Sequence, residues 1–130
     1  MSLFDHISIR TDDIDTVRRF YQATLASLGV QQKFFAERPK GGVAGFGRDR
    51  VELFIEAAPL QKRDPIHLAF SARSQHEVNI FHAAALAAGG QDNGKPGLRP
   101  NYHEHYYAAF IIDPCGNNVE AVFQDANPDV

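Results

Sequence analysis

The chain repeats itself, and this repeat constrains the fold more than any other feature of the sequence. Asp5-His6-Ile7-Ser8-Ile9-Arg10 and Ile66-His67-Leu68-Ala69-Phe70-Ser71 are both short strand-like runs with a histidine near the start. Each leads at once into a helix with its own cap. The first opens at Thr11-Asp12-Asp13, whose short acceptors can hold free N–H groups. Its apolar positions Ile14, Val17, Phe20, Tyr21, Leu25 and Leu28 recur at helical spacing, and Gly29 follows where a left-handed cap is wanted. The second opens at Ser74-Gln75-His76-Glu77, which reads as a capping box, and runs through Val78, Phe81, Ala85 and Leu86 to Gly89-Gly90. Three strand candidates follow each helix: about 31–38, 42–48 and 51–57, then 91–98, 105–112 and 118–124. Gly and Pro between Asn93 and Pro100 weaken the 91–98 strand.

The expected architecture is therefore α+β: two β-α-β-β-β modules, about 1–58 and 65–125, in one domain spanning 1–130. A polar, proline-bounded link at 58–65 joins them. Neither module is large enough to bury a core alone, so the two must pair, within one chain or across a dimer. Together they should form a curved mixed sheet around a concave pocket.

Strand side chains alternate between faces. His6, Ser8 and Arg10 oppose Ile7 and Ile9. Glu52, Phe54 and Glu56 oppose Val51, Leu53 and Ile55. His67 opposes Ile66 and Leu68, and Glu120 opposes Val119 and Ala121. The apolar faces must meet the helices. The opposite faces then line the pocket, and each carries one metal-capable residue: His6, Glu52, His67 and Glu120. Two imidazoles and two carboxylates suit a divalent transition metal, and leave open positions if the ion is six-coordinate. A half-exposed strand also carries His or Glu merely for solubility, but four at matching places in a repeat favour the metal.

Composition narrows the partners. A net charge of −3 with acids and bases intermixed leaves no basic stripe for nucleic acid or anionic membrane. No apolar run approaches a membrane span, and the first residues do not read as a secretory signal. The single cysteine, Cys115, excludes an internal disulfide and a cysteine-cluster metal site, and points to a cytoplasmic chain.

At these residues the sequence resembles the vicinal oxygen chelate superfamily: glyoxalase I, methylmalonyl-CoA epimerase, extradiol dioxygenases, and fosfomycin and bleomycin resistance proteins. The resemblance covers nearly the whole chain. It lies in Asp5-His6-Ile7-Ser8-Ile9 through Val17-Arg18-Arg19-Phe20-Tyr21 to Leu28-Gly29, in Ile66-His67-Leu68-Ala69-Phe70, and most specifically in Ala108 to Asp113-Pro114-Cys115-Gly116-Asn117-Asn118-Val119-Glu120. His6, Glu52, His67 and Glu120 fall where bacterial glyoxalase I carries its metal quartet. Arg10 matches a position that enzyme uses for glutathione. Glu56 departs from it, falling where the enzyme has an asparagine, and a carboxylate there would repel glutathione. The second half also resembles a set of uncharacterised bacterial glyoxalase-like proteins, notably from His82 to Gly90 and from Gly97 to Tyr107. The resemblance further implies a homodimer, with His6 and Glu52 of one chain meeting His67 and Glu120 of the other.

Other residues divide between roles. Phe54, His103, His105 and Tyr107 are candidate substrate contacts with Arg10 and Glu56. The run from Tyr102 to Tyr107 reads equally as a solvated strand rim. Strand 106–112 is apolar on both faces, so its phase is open. Phe34, Phe35 and Phe54 read as pocket wall or as core. His76 and His82 read as helix surface, and Cys115 as an exposed, inert thiol. The leading function is a metal-dependent lyase or isomerase of a small molecule with vicinal oxygens. The ion would spread enediolate charge while Glu120 or Glu52 moves a proton. The alternatives are an Fe(II) extradiol-type dioxygenase using His6, His67 and Glu120, and a non-catalytic drug-binding resistance protein.

Overall fold

The computed structural model describes residues 3–59 and 64–124. Residues 1–2, half of the expected link (60–63) and 125–130 lie outside it. The first module runs β1 (Ile7–Thr11), α1 (Ile14–Leu25), β2 (Gln31–Arg38), β3 (Gly41–Gly47) and β4 (Leu53–Ala57). The second runs β5 (His67–Ser71), α2 (Gln75–Ala87), β6 (Gln91–Leu98), β7 (Tyr106–Ile112) and β8 (Asn118–Gln124).

The two sheets have matching strand orders, β1-β4-β3-β2 and β5-β8-β7-β6. In each, the first strand pairs in parallel with the last, and the other pairs are antiparallel. This is the duplication visible in the sequence. In both modules the first and last strands form the parallel pair, because the same local patterns demand the same crossover.

Local chemistry sets the helix ends. The Asp13 side chain accepts from Thr16 N at 3.3 Å, while Thr11 Oγ1 accepts from Asp13 N at 3.0 Å. Ser74 Oγ accepts from Glu77 N at 3.1 Å, the expected half of a capping box. The other half differs: the Glu77 carboxylate reaches past Ser74 to Arg73 N at 2.7 Å and the Arg73 guanidinium at 2.7 Å. That pair and its hydrogen bond hold the Glu77 carboxyl below its usual range. Beyond α1, a short 3-10 turn at Ala26–Leu28 ends on Gly29, whose φ of 74° is the left-handed conformation glycine takes without strain.

The weak strand at 91–98 forms because it lies at a sheet edge. Its ladder with β7 breaks at Asp92/Gly94 and again at Gly94/Gly97. Edge position and bulges together accommodate Gly94, Pro96 and Gly97.

One buried core joins the modules. Ile9, Phe20, Tyr21, Leu25, Leu28, Phe46 and Ile55 pack with Val78, Phe81, Ile111, Val119 and Ala121. Large apolar side chains of this kind contribute roughly 1.5–3 kcal/mol each when fully buried. A polar tether crosses the same seam. Tyr21 on α1 donates its hydroxyl to Asp113 Oδ2, in the turn before β8. Burial first, and then the charge of Asp113, push the Tyr21 hydroxyl well above its ordinary range, so it stays a donor. Asp113 also accepts from Cys115 N at 2.9 Å, Asn117 N at 2.8 Å and Asn117 Nδ2 at 3.2 Å. Arg48 adds a second link, donating to Leu28 O at 2.9 Å and Ser71 O at 2.8 Å.

Two readings of single residues need correction. His82 is not a surface residue: it is 8% exposed, and its Nε2 lies 2.9 Å from Asp92 Oδ1 on β6. That bond holds the Asp92 carboxyl below its usual range. Cys115 is half-buried rather than exposed. His76 is exposed as read. Among the described residues, no helix is long and apolar enough to cross a membrane.

Candidate functional site

The chemistry-bearing residues gather in two clusters, one on each sheet. Both occupy the face turned away from the helices, because the apolar alternate positions are committed to the core.

The first cluster surrounds the start of β1. His6 precedes β1, and Glu52 precedes β4. Glu52 O accepts from Ile7 N at 3.0 Å, and Glu52 N donates to Phe46 O at 2.8 Å. The turn after β3 needs Gly47, since a Cβ there would fall 1.6 Å from Arg50 O. His6 Nδ1 lies 2.8 Å from Asp5 Oδ1, and its ring meets Phe54 edge-on at 5.0 Å. The His6 bond, with help from Arg50, holds the Asp5 carboxyl below its ordinary range. Arg50 also approaches Glu52 Oε1 at 3.7 Å. Phe34 packs on Phe54 at 6.0 Å, so these two rings form the apolar wall. Phe35 turns the other way, toward the core and under the Arg18 guanidinium at 4.3 Å. Arg10 and Glu56, both expected to meet substrate, approach each other at 3.8 Å, and Ser8 Oγ donates to Glu56 at 3.4 Å.

The second cluster is tighter. Parallel pairing of β5 with β8 sets His67 beside Asn118, and Ala69 beside Glu120. His67 Nδ1 donates to Asn118 O at 3.1 Å, and Nε2 lies 2.7 Å from Glu120 Oε1. Phe110 stacks on the His67 ring at 6.2 Å. Glu120 is only 2% exposed, and its second oxygen, Oε2, accepts from Tyr106 OH at 2.7 Å. Burial and the Glu120 carboxylate push the Tyr106 hydroxyl up to about 12, so it is a donor at neutral pH.

β7 therefore turns Tyr106, not Tyr107, toward Glu120. Tyr107, read as a substrate contact, lies on the opposite face and donates to Asn79 Oδ1 on α2 at 2.7 Å. The antiparallel register with β8 decides this, setting Phe110 opposite Glu120 and hence Tyr106 on the same face. His103 and His105 sit in the turn before β7 with rings 5.7 Å apart. His105 is the inward member: its Nε2 is buried, while His103 is exposed.

The donor chemistry of both clusters fits a divalent metal. Nε2 and Oε1 at 2.7 Å must share a proton, since two lone pairs would repel, and a cation can take that proton's place. Three of the four donors are steadied from behind: His67 by Asn118 O, Glu120 by Tyr106, and His6 by Asp5. Within one chain, however, the four do not converge. Among the described residues, no group of three or more His, Cys, Asp and Glu is close enough to hold an ion. His6 and Glu52 instead line a cavity of about 340 Å³ at the seam between modules, whose far wall is β5 at Leu68, Ala69 and Phe70.

The family model for the glyoxalase/bleomycin resistance protein/dioxygenase superfamily matches residues 3–121. The chain belongs to that superfamily. Among solved structures, a glyoxalase/bleomycin resistance protein from Albidiferax ferrireducens T118 is 25% identical, with a TM-score of 0.78 over 95% of this chain and 100% of that one. A glyoxalase/bleomycin resistance protein/dioxygenase domain from Frankia sp. EAN1pec is 16% identical, with a TM-score of 0.74 over 97% and 94%. A glyoxalase I variant from Zea mays is 19% identical, with a TM-score of 0.70 over 92% of this chain and 43% of the maize one. No curated protein matches the chain. The two-module fold of the superfamily is thus the fold here, with four-stranded mixed sheets backed by helices.

Proposed function

We propose that the chain is a cytoplasmic, metal-dependent lyase or isomerase of the glyoxalase type, acting on a small molecule with two adjacent oxygens. The observation that supports it most is the His67–Glu120 pair: a nitrogen and an oxygen 2.7 Å apart, each oriented by a further hydrogen bond. His6 and Glu52 complete the ligand set. A bound divalent cation supplies Lewis acidity to the substrate oxygens. The protein does the rest. The aromatic walls Phe34, Phe54 and Phe110 exclude water and hold the carbon skeleton. Glu120 or Glu52 takes a proton from the carbon next to a carbonyl and returns it to the neighbouring carbon or oxygen.

The quartet is proposed to form between two copies of the chain. β1 and β5 each lie at a sheet edge; His6 immediately precedes the first and His67 opens the second. Set edge to edge across a two-fold axis, they bring His6 and Glu52 of one copy toward His67 and Glu120 of the other.

Protein purified without added metal is expected to hold one divalent ion per quartet, by elemental analysis. His67→Ala should lose binding steeply in a calorimetric titration, because it removes one of few strong ligands. Undiminished affinity in that variant would defeat the assignment. The Arg50–Glu52 approach at 3.7 Å favours one second reading, in which Glu52 stays with Arg50 and three ligands remain. Iron alone in the elemental analysis, with oxygen uptake on a catechol, would move the protein to ring-cleaving dioxygenase chemistry.

Substrate follows from Arg10 and Glu56. Their mutual approach leaves the cationic side chain partly neutralised and sets a carboxylate beside it. Little or no turnover of the glutathione–methylglyoxal hemithioacetal is expected, in the standard absorbance assay. Glu56→Asn should raise that turnover if the carboxylate is what repels it. Robust turnover by the parent would show a true glyoxalase I.

A further inference from the structure

We propose that Tyr106 is the positioning residue that restricts Glu120 to a single-oxygen metal ligand. The inference rests on the metal reading above and adds a residue to it. A carboxylate has two oxygens and can give one or both to the same cation. Here the choice is made by the protein. Tyr106 OH donates to Oε2 at 2.7 Å, leaving Oε1 as the oxygen that faces His67 Nε2. Glu120 is 2% exposed, so water has little access to loosen that bond.

The backbone explains how two distant positions meet. Tyr106 pairs with Gln124, and Phe110 pairs with Glu120. Between these rungs lies the Ala108–Val122 pair on the same face. The Tyr106 and Glu120 side chains therefore reach toward each other along the strands, over that rung. The short, fully buried side chain of Ala108 leaves the space they cross. Tyr102 sets the Tyr106 ring from the other side, edge-on at 5.2 Å and 81°. A flexible glutamate is thus held at both ends by groups with few rotamers of their own. Withholding one oxygen keeps room at the ion for a substrate that brings two.

Tyr106→Phe tests this, since it removes one hydroxyl and keeps the ring. The parent, Tyr106→Phe and His67→Ala would each be titrated with cobalt(II), following both calorimetric affinity and the visible absorption of the bound ion. Melting temperatures of the metal-free proteins check that all three fold. Tyr106→Phe is expected to keep the parent stoichiometry but bind roughly ten- to hundred-fold more weakly. Its cobalt band should shift and lose intensity as the freed second oxygen raises the coordination number. To separate a local effect from general loosening, Tyr102→Phe should leave the band in place. An affinity and spectrum identical to the parent in Tyr106→Phe would overturn this inference while the metal reading stands. Cobalt binding that survives His67→Ala unchanged, or is absent from the parent, would instead overturn the metal reading and this inference with it.

Discussion

Asp113→Ala is expected to cost roughly 3–6 kcal/mol of folding stability, because it strands several buried donors at once, each worth about 1–3 kcal/mol when left unsatisfied. Asp113 is 4% exposed and accepts from Tyr21 OH, Cys115 N, Asn117 N and Asn117 Nδ2. Tyr21 is fully buried, and removing the carboxylate takes away the acceptor its hydroxyl uses. For a domain whose total stability is about 5–15 kcal/mol, such a loss is a large share of the whole. Urea unfolding is the measurement. Tyr21→Phe should cost less, because it removes one donor and leaves the carboxylate three others. The double variant should be less destabilised than the sum of the two, since the hydroxyl it removes is the one Asp113→Ala would orphan. A loss below about 1 kcal/mol in Asp113→Ala would show that water or a rearranged turn satisfies the donors instead.

That network also reaches the site. Asn117 Oδ1 accepts from Ile66 N at 3.1 Å, immediately before His67, and Asn118 O accepts from His67 Nδ1. The same turn feeds β8, which carries Glu120. Asp113 thus helps fix the relative positions of His67 and Glu120, which it never touches. The Asp-Pro-x-Gly turn is legible in the sequence as a device that re-aims the chain. Its second partner, Tyr21 in the other module, is not, because nothing local in α1 marks that tyrosine as different from a core aromatic.

The same division runs through the rest of the molecule. Period-two alternation was enough to put His6, Glu52, His67 and Glu120 on the faces away from the helices, because the opposite positions are apolar without ambiguity. It failed for β7, where Tyr106, Ala108 and Phe110 are as apolar as Tyr107, Ala109 and Ile111. There the phase is set by hydrogen-bond register with β8, a long-range fact. Hence Tyr107 was read where Tyr106 stands. His82 failed for a related reason. Alanine dominates its helix, so the pattern gives no sharp boundary between faces, and the partner that admits a buried histidine, Asp92, lies on the next strand. β6 could be read only weakly, since glycine and proline argue against a strand until its edge position and bulges are known. Periodicity assigns residues to faces of a sheet; it says nothing of how one sheet stands against another. So the separation of the two clusters within one chain lay beyond it.

Mixing two defective chains should restore a metal site that neither has alone. The core joins the modules within a chain, yet the four proposed ligands stay in two pairs there, and among the described residues no group of three metal-capable side chains forms. If each site takes His6 and Glu52 from one copy and His67 and Glu120 from the other, a dimer of His6→Ala with His67→Ala sorts its lesions unevenly. One site collects both missing imidazoles, and the other receives none. Co-expression with distinguishable tags, followed by purification of the mixed dimer, should then return about one tightly bound ion per dimer, whereas each parental variant binds steeply more weakly because it lacks one of few ligands. The intact site should also recover catalytic turnover once a substrate is found. Sites confined to single chains behave otherwise: every site keeps one defect, and no mixture restores anything. β1 and β5 are end strands of their sheets, and an end strand can take a further strand across a two-fold axis, which gives the exchange a structural route. Mixed dimers confirmed by mass but lacking the restored ion would end the shared-site model, and the His67→Ala titration would still judge the ligand set on its own terms.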